Sequence, residues 1–284
     1  DYVSALGYSL GYLGGGSLFA VNVLMYLHPD WFGIPDSSTA IRISFLTVAI
    51  WWAVFTLPII IFLPEPKSSN SVPLSKAVFS GISQLRETYD HIREMKIIGT
   101  FLLAFWLYED GVATIVRMAG KIASSLGFAA GDIITAILMV QFIGFPAALL
   151  YNWFAKKIGI KNAVLVAIAG YGIITLLGYM MTDIIHFYIL AAMIGIFQGG
   201  IQSLSRSLFT RLVPKGKEAE FFGFYNMLGK FAAVIGPILV GWITVMTGNP
   251  RTGILSIVVL FILGGLLLIK VDFEAGEKIA ADFG

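Results

Sequence analysis

Cysteine is missing from all 284 residues, which excludes thiol nucleophiles, disulfides and Cys-ligated metals. Histidine is scarce: His28, His91 and His186 stand far apart, so no cluster with zinc-ligand spacing forms along the chain. Charge is scarce as well, at 13% of residues against roughly 25% in soluble domains. A net charge of +2 without an aromatic-interleaved basic patch argues against nucleic acid as a partner. Intramembrane proteolysis lacks its inventory too, because Asp110 has no second intramembrane aspartate with which to share a proton. The expectation is a protein that is not an enzyme, with no metal and no cofactor.

Apolar sequence is abundant. Hydrophobic residues make up 57% of the chain, and a helix needs about 20 of them in succession to cross a bilayer. Eight windows qualify: 6–27, 43–63, 97–118, 132–154, 163–182, 185–206, 221–246 and 253–270. Strands of an outer-membrane barrel would be about half as long and alternate in polarity. The predicted fold class is therefore an all-α polytopic membrane protein with eight transmembrane helices, its first partner the lipid bilayer.

Basic residues accumulate on the cytoplasmic side of membrane proteins. Lys67, Lys76, Arg86, Arg93, Lys96, Lys156, Lys157, Lys161, Arg211, Lys215, Lys217, Lys270 and Lys278 fall on one side, and only Arg42, Arg117, Lys121 and Arg251 on the other. Thirteen against four puts both ends of the chain in the cytoplasm. The one long connection, 64–96, opens with PEPKSSNSVP, a linker unsuited to helix. Leu74, Val78, Ile82, Leu85, Tyr89 and Ile92 then recur at helical steps, as in an amphipathic helix lying along the interface. The expected organisation is helices at 1–63, a cytoplasmic linker at 64–96, a helical unit at 97–270 and a cytoplasmic tail at 271–284.

Polarity recurs every third span. Window 97–118 carries Glu109, Asp110 and Arg117, and window 185–206 carries Gln198, Gln202 and Arg206, while 43–63, 163–182 and 253–270 hold no charge in their cores. A charge at the bilayer centre costs several kcal/mol unless it faces water or a partner. Two three-helix units, each with a cavity-lining first member and a lipid-facing third, account for this pattern, and repeats of that kind are a device of transporters.

In YEDGVATIVRMAGK, Asp110, Thr114, Arg117 and Lys121 share one helix face. The carboxylates have two kinds of reading: Glu109 or Asp110 serves ion coupling or exchanges a proton, with Arg117 as outer partner, or the segment holds only a structural ion pair or a simple helix break at Gly111. In FQGGIQSLSRSL, one stripe holds Gln198, Gln202 and Ser205 with Arg206 beside it, suited to a polar solute. The other, Gly199, Ser203 and Ser207, suits close packing. Asn226 and Lys230 lie one turn apart ahead of Gly236 and Pro237, where a kink is expected. Gly7, Gly11 and Gly15 share a face and read as a packing surface, not a phosphate loop.

Taken together, GYLGG at 11–15, RISF with WW and a proline at 42–58, FWLYEDGVATI at 105–115, QGGIQSLSRS at 198–207, and FFGFY with GK and GP at 221–237 resemble one family. It is the vacuolar-effluxer-like, or unknown-major-facilitator, branch of the major facilitator superfamily. The resemblance covers nearly the whole chain. It implies that the eight spans correspond to helices five to twelve of a twelve-helix fold, that 97–118 and 185–206 are the seventh and tenth, and that the family's first four helices have no counterpart in this sequence.

It further implies a secondary carrier that moves a small-molecule substrate by alternating access. Amino-acid export and proton coupling follow from the eukaryotic relatives and the span carboxylates, and the full-length protein is expected to be monomeric. The same resemblance places the membrane as vacuolar for eukaryotic relatives or plasma for bacterial ones. Lys156, Lys157, Gly159 and Lys161 resemble the superfamily's basic gating loop, with Ala155 where a carboxylate often stands. A channel-like subunit or a non-transporting scaffold is the alternative.

Overall fold

The computed structural model describes residues 2–64, 81, 83 and 95–282. Among them lie eleven α-helices: α1 (Tyr2–Leu27), α2 (Ser37–Phe62), α3 (Lys96–Ser125), α4 (Ala130–Ile158), α5 (Ile160–Met180), α6 (Ile184–Leu212), α7 (Glu218–Phe231), α8 (Ile235–Thr247), α9 (Pro250–Leu255), α10 (Val258–Lys270) and α11 (Phe273–Asp282). Eight spans are long and apolar enough to cross a membrane, with α7–α8 and α9–α10 each forming one of them. They coincide with the eight predicted windows, extended by a few residues at most ends. Apart from residues 81 and 83, the amphipathic stretch expected at 74–92 lies outside the described residues.

Contacts divide the chain into two units, Asp1–Tyr12 with Ile82–Gly284, and Leu13–Gly81. One boundary falls inside α1, between Tyr12 and Leu13, and the other between Gly81 and Ile82. In the smaller unit, α2 starts at Asp36, whose Oδ1 accepts the Thr39 N–H at 2.9 Å and whose Oδ2 accepts the Thr39 hydroxyl. These bonds hold the Asp36 carboxyl below its ordinary range, so this cap is present near neutral pH and is lost as pH falls through the lowered value. The helix ends before Pro64, which disfavours helical backbone at Leu63.

In the larger unit, α6 packs between α4 and α5, and α10 between α3 and α5. Small residues make the closest approach possible. A Cβ at Gly195 would meet Ile143 and the Val140 carbonyl, and one at Gly199 would meet Ala148 at 2.8 Å, so α4 and α6 come nearly backbone to backbone. Aromatic rings anchor α7: Tyr225 stacks on Phe105 at 4.2 Å and on Phe209 at 4.7 Å. Span 163–182 is not simply lipid-facing. α5 buries Val164, Ile168, Tyr171 and Gly178 while exposing Val166, Ile173 and Met180, because it packs on α6 and α10 along one stripe.

The expected kink near Pro237 is a full break one turn earlier. Ala232 leaves helical geometry and Ala233 takes φ +94°. Pro237 itself sits in the first turn of α8, where its missing N–H costs nothing. The expected tail at 271–284 contains α11, which lies against α6 and α3, with Gly276 fitted against Leu212 and Ile97 and Glu277 paired with Arg211 at 3.7 Å.

Candidate functional site

The stripe of α6 opens onto a cavity of about 870 Å³. Four-residue spacing places Gln198, Gln202 and Arg206 along its wall, followed one turn on by Thr210. Across from them, α1 contributes Tyr8 and Tyr12, and α4 contributes Gln141. Polar side chains thus reach the wall from α1, α4 and α6.

Its hydrogen bonds form a chain. The Tyr12 hydroxyl donates to Gln202 Oε1 at 3.2 Å, and the Gln202 amide donates to the Glu109 carboxylate behind it. The Arg206 guanidinium donates to the Tyr8 hydroxyl and lies over the Phe222 ring at 5.2 Å. Two acceptors remain without a partner: Gln198 Oε1 and Glu109 Oε2 are buried and bonded to nothing among the described residues. A buried acceptor left bare is costly, and Gln198 stands on the cavity wall where a donor on a bound solute would satisfy it.

Asp110 is positioned quite differently from its neighbour Glu109. It is 1% exposed, and it accepts the Ile235 N–H on Oδ2 at 2.9 Å, the Gly236 N–H on Oδ1 at 3.0 Å and the Thr114 hydroxyl at 3.2 Å. Asp110 and Thr114 therefore cap the N-terminus of α8, and neither lines the polar cavity. An anion at a helix N-terminus meets unpaired N–H groups and the positive end of the helix dipole.

Other sequence-selected residues fall elsewhere. Ser205, read as cavity-facing, is fully buried and bonds the Tyr108 hydroxyl at 2.7 Å, because its position on α6 turns it toward α3. Ser207, read as packing, lines the cavity instead. Arg117 is exposed at the edge of a second, apolar cavity of about 400 Å³, whose wall shares Gln141 and Gln198 with the first. Asn226 and Lys230 are exposed on α7, outside both linings.

The basic connection is short. Gly159, at φ +88°, ends α4 and starts α5 by itself, a backbone geometry that side chains rarely adopt. Lys161 Nζ donates to the Ile269 and Val271 carbonyls at 2.8 Å, capping the C-terminus of α10. Lys157 covers the Trp153 ring at 3.7 Å, and Lys156 is exposed.

Tyr8, Tyr12 and Gln141 were missed from sequence. The pair of tyrosines at four-residue spacing, and a lone glutamine within AILMVQFIG, were the available signals. Gly7 and Gly11, read as a packing face, line the cavity, and a Cβ at either would meet nothing within 4 Å among the described residues.

Residues 1–281 match the family described as vacuole effluxer Atg22 like. An uncharacterised MFS-type transporter, YxiO, from Bacillus subtilis (strain 168) is 35% identical over 99% of this chain and 65% of its own length. Autophagy-related protein 22 of Yarrowia lipolytica is 27% identical over 98% of this chain and 51% of its own, and autophagy-related protein 22-1 of Penicillium rubens 27% over 99% and 51%. The chain thus spans about two thirds of the Bacillus relative and about half of these fungal ones.

Proposed function

The chain belongs to the Atg22-like vacuole effluxer family, and from that premise we propose that it is part of a secondary carrier that moves a small polar solute by alternating access. The observation that carries this reading is the polar cavity itself, in which Gln198, Gln202, Arg206, Tyr8 and Tyr12 converge and the Gln198 carbonyl oxygen waits for a donor.

An amino acid fits these groups chemically. The guanidinium of Arg206 suits a carboxylate, and the bare Gln198 oxygen suits an ammonium hydrogen. The family description supports export as the direction, and the excess of lysine and arginine on one side supports a cytoplasmic location for both ends. Of the two adjacent carboxylates, Glu109 is the one we assign to proton coupling, because Asp110 is already filled with backbone and hydroxyl donors while one Glu109 oxygen is bare.

Counterflow tests this. The full-length protein, reconstituted in liposomes preloaded with unlabelled amino acids, is expected to take up labelled amino acid saturably, and Gln198→Ala to lose most of that uptake. Accumulation driven by a pH gradient should vanish in Glu109→Gln. Non-saturable flux would indicate a channel, and no flux across the amino-acid panel would favour a scaffold.

A further inference from the structure

The stretch from Ile235 to Leu255 is a helical hairpin bounded by one break and one tightened helical turn. On one side the chain leaves the α-helix at Ala232–Val234, with Ala233 at φ +94°. On the other, Ser256 and Ile257 keep helical backbone angles, but the N–H groups of Ser256, Ile257, Val259 and Leu260 bond the carbonyls three residues back, a tighter 3₁₀ stretch within the span that α9 and α10 share. At 1.5 Å per residue the arms are about 20 Å and about 9 Å long.

The two arms are locked to each other. A Cβ at Gly253 would collide with the Val240 carbonyl and Thr244, so α9 sits directly against α8. Outward, α8 exposes Ile238, Trp242, Val245 and Met246. Inward, Ile254 and the adjoining Ile257 form part of the wall of the apolar cavity.

The Asp110 carboxylate holds the long arm at its hinge end, through the N–H groups of Ile235 and Gly236. The fit leaves no slack, because a Cβ at Gly236 would run into Thr114 and Asp110. These bonds join a side chain of α3 to the backbone of another element, so they fix the direction in which the long arm leaves its hinge.

We propose that Ile235–Leu255 is a flap hinged at Ala232–Val234 and Ser256–Ile257, and that Asp110 is the positioning residue that latches it beside α3 over the apolar cavity. This rests on the carrier reading only for its purpose, as the gate at the end opposite the basic connections. The apolar cavity shares Gln141 and Gln198 with the polar one, so opening the flap changes the surroundings of the solute site from the far side.

Residues 1–284 hold no cysteine, so once any cysteine outside them is replaced by serine, nitroxide labels can be placed at Val245→Cys on α8 and Ile185→Cys on α6 in the full-length protein. Pulsed dipolar spectroscopy is expected to show one narrow distance in the otherwise native protein. With Asp110→Asn the distribution should broaden toward longer distances, while a control pair at Ile137→Cys and Ile185→Cys stays unchanged. An unaltered Val245–Ile185 distribution in Asp110→Asn would overturn the latch and leave Asp110 as a passive cap.

If that variant does not fold, hydrogen exchange on the native protein decides. Amides of 235–255 should exchange together, about tenfold faster than those of α6, and protection equal to α6 would refute the flap. Neither measurement uses a solute, so absent counterflow would count against the carrier alone.

Discussion

Gly200→Ala adds one methyl group to α6 and should cost far more stability than its size suggests. The new Cβ would overlap the Tyr151 ring, with Cε1 at 2.9 Å and two ring atoms closer still. Tyr151 has nowhere to go: its hydroxyl donates to the Ala163 carbonyl at 2.9 Å, and Phe154 and Phe197 meet its ring edge-on at 5.7 and 6.1 Å. Forcing a methyl into such a site costs about 1–3 kcal/mol, and breaking the hydroxyl bond a further ~1 kcal/mol. A total of about 3 kcal/mol lowers a Tm by roughly 6–12 °C in a chain of this size. Thermal unfolding of the detergent-solubilised protein, followed by tryptophan fluorescence, measures it. The matched control is Gly7→Ala, where open space surrounds the new Cβ and the helix gains up to about 1 kcal/mol. Equal Tm values for the two variants would mean that the α4–α6 contact is not as close as the structure has it.

Gly11→Leu should fill part of the polar cavity, cutting solute uptake severalfold while leaving the Tm within about 2 °C of the native value. Ala233→Gly removes the left-handed penalty of about 1–2 kcal/mol at the break, partly offset by glycine's greater chain entropy of about 0.5–1 kcal/mol; a small rise in Tm is expected, and a fall would show that the break is misplaced. Arg206→Lys keeps the charge but loses the planar fork, so uptake should drop at least tenfold if a carboxylate is gripped there, and native uptake would mean that Arg206 only reaches toward headgroups. Lys161→Met strips two carbonyls at the end of α10 of their donor and should cost about 1 kcal/mol, read as a Tm lower by a few degrees.

The spans were legible because their signal is additive: twenty apolar residues outweigh any local ambiguity, and every window found its helix. The polar stripe of α6 was legible for the same reason in reverse, since Gln198, Gln202 and Arg206 have no business in hydrocarbon unless one side is wet. Periodicity failed where direction mattered more than spacing. Ser205 and Arg206 are adjacent, yet one turns to Tyr108 and the other to Tyr8, and no one-dimensional pattern ranks the neighbours that an exposed or buried face will meet. Glycine is the sharper case. Gly7 and Gly200 both sit inside long apolar helices, but the first lines a cavity and the second admits a tyrosine ring; only the partner helix distinguishes them. Glu109 and Asp110 also looked equivalent, because the N–H groups that occupy Asp110 belong to residues 125 and 126 positions further along the chain. A carboxylate's role in a membrane helix is set by which donors reach it, and those donors come from the helix break at Ala233, which the sequence could announce only as a proline nearby.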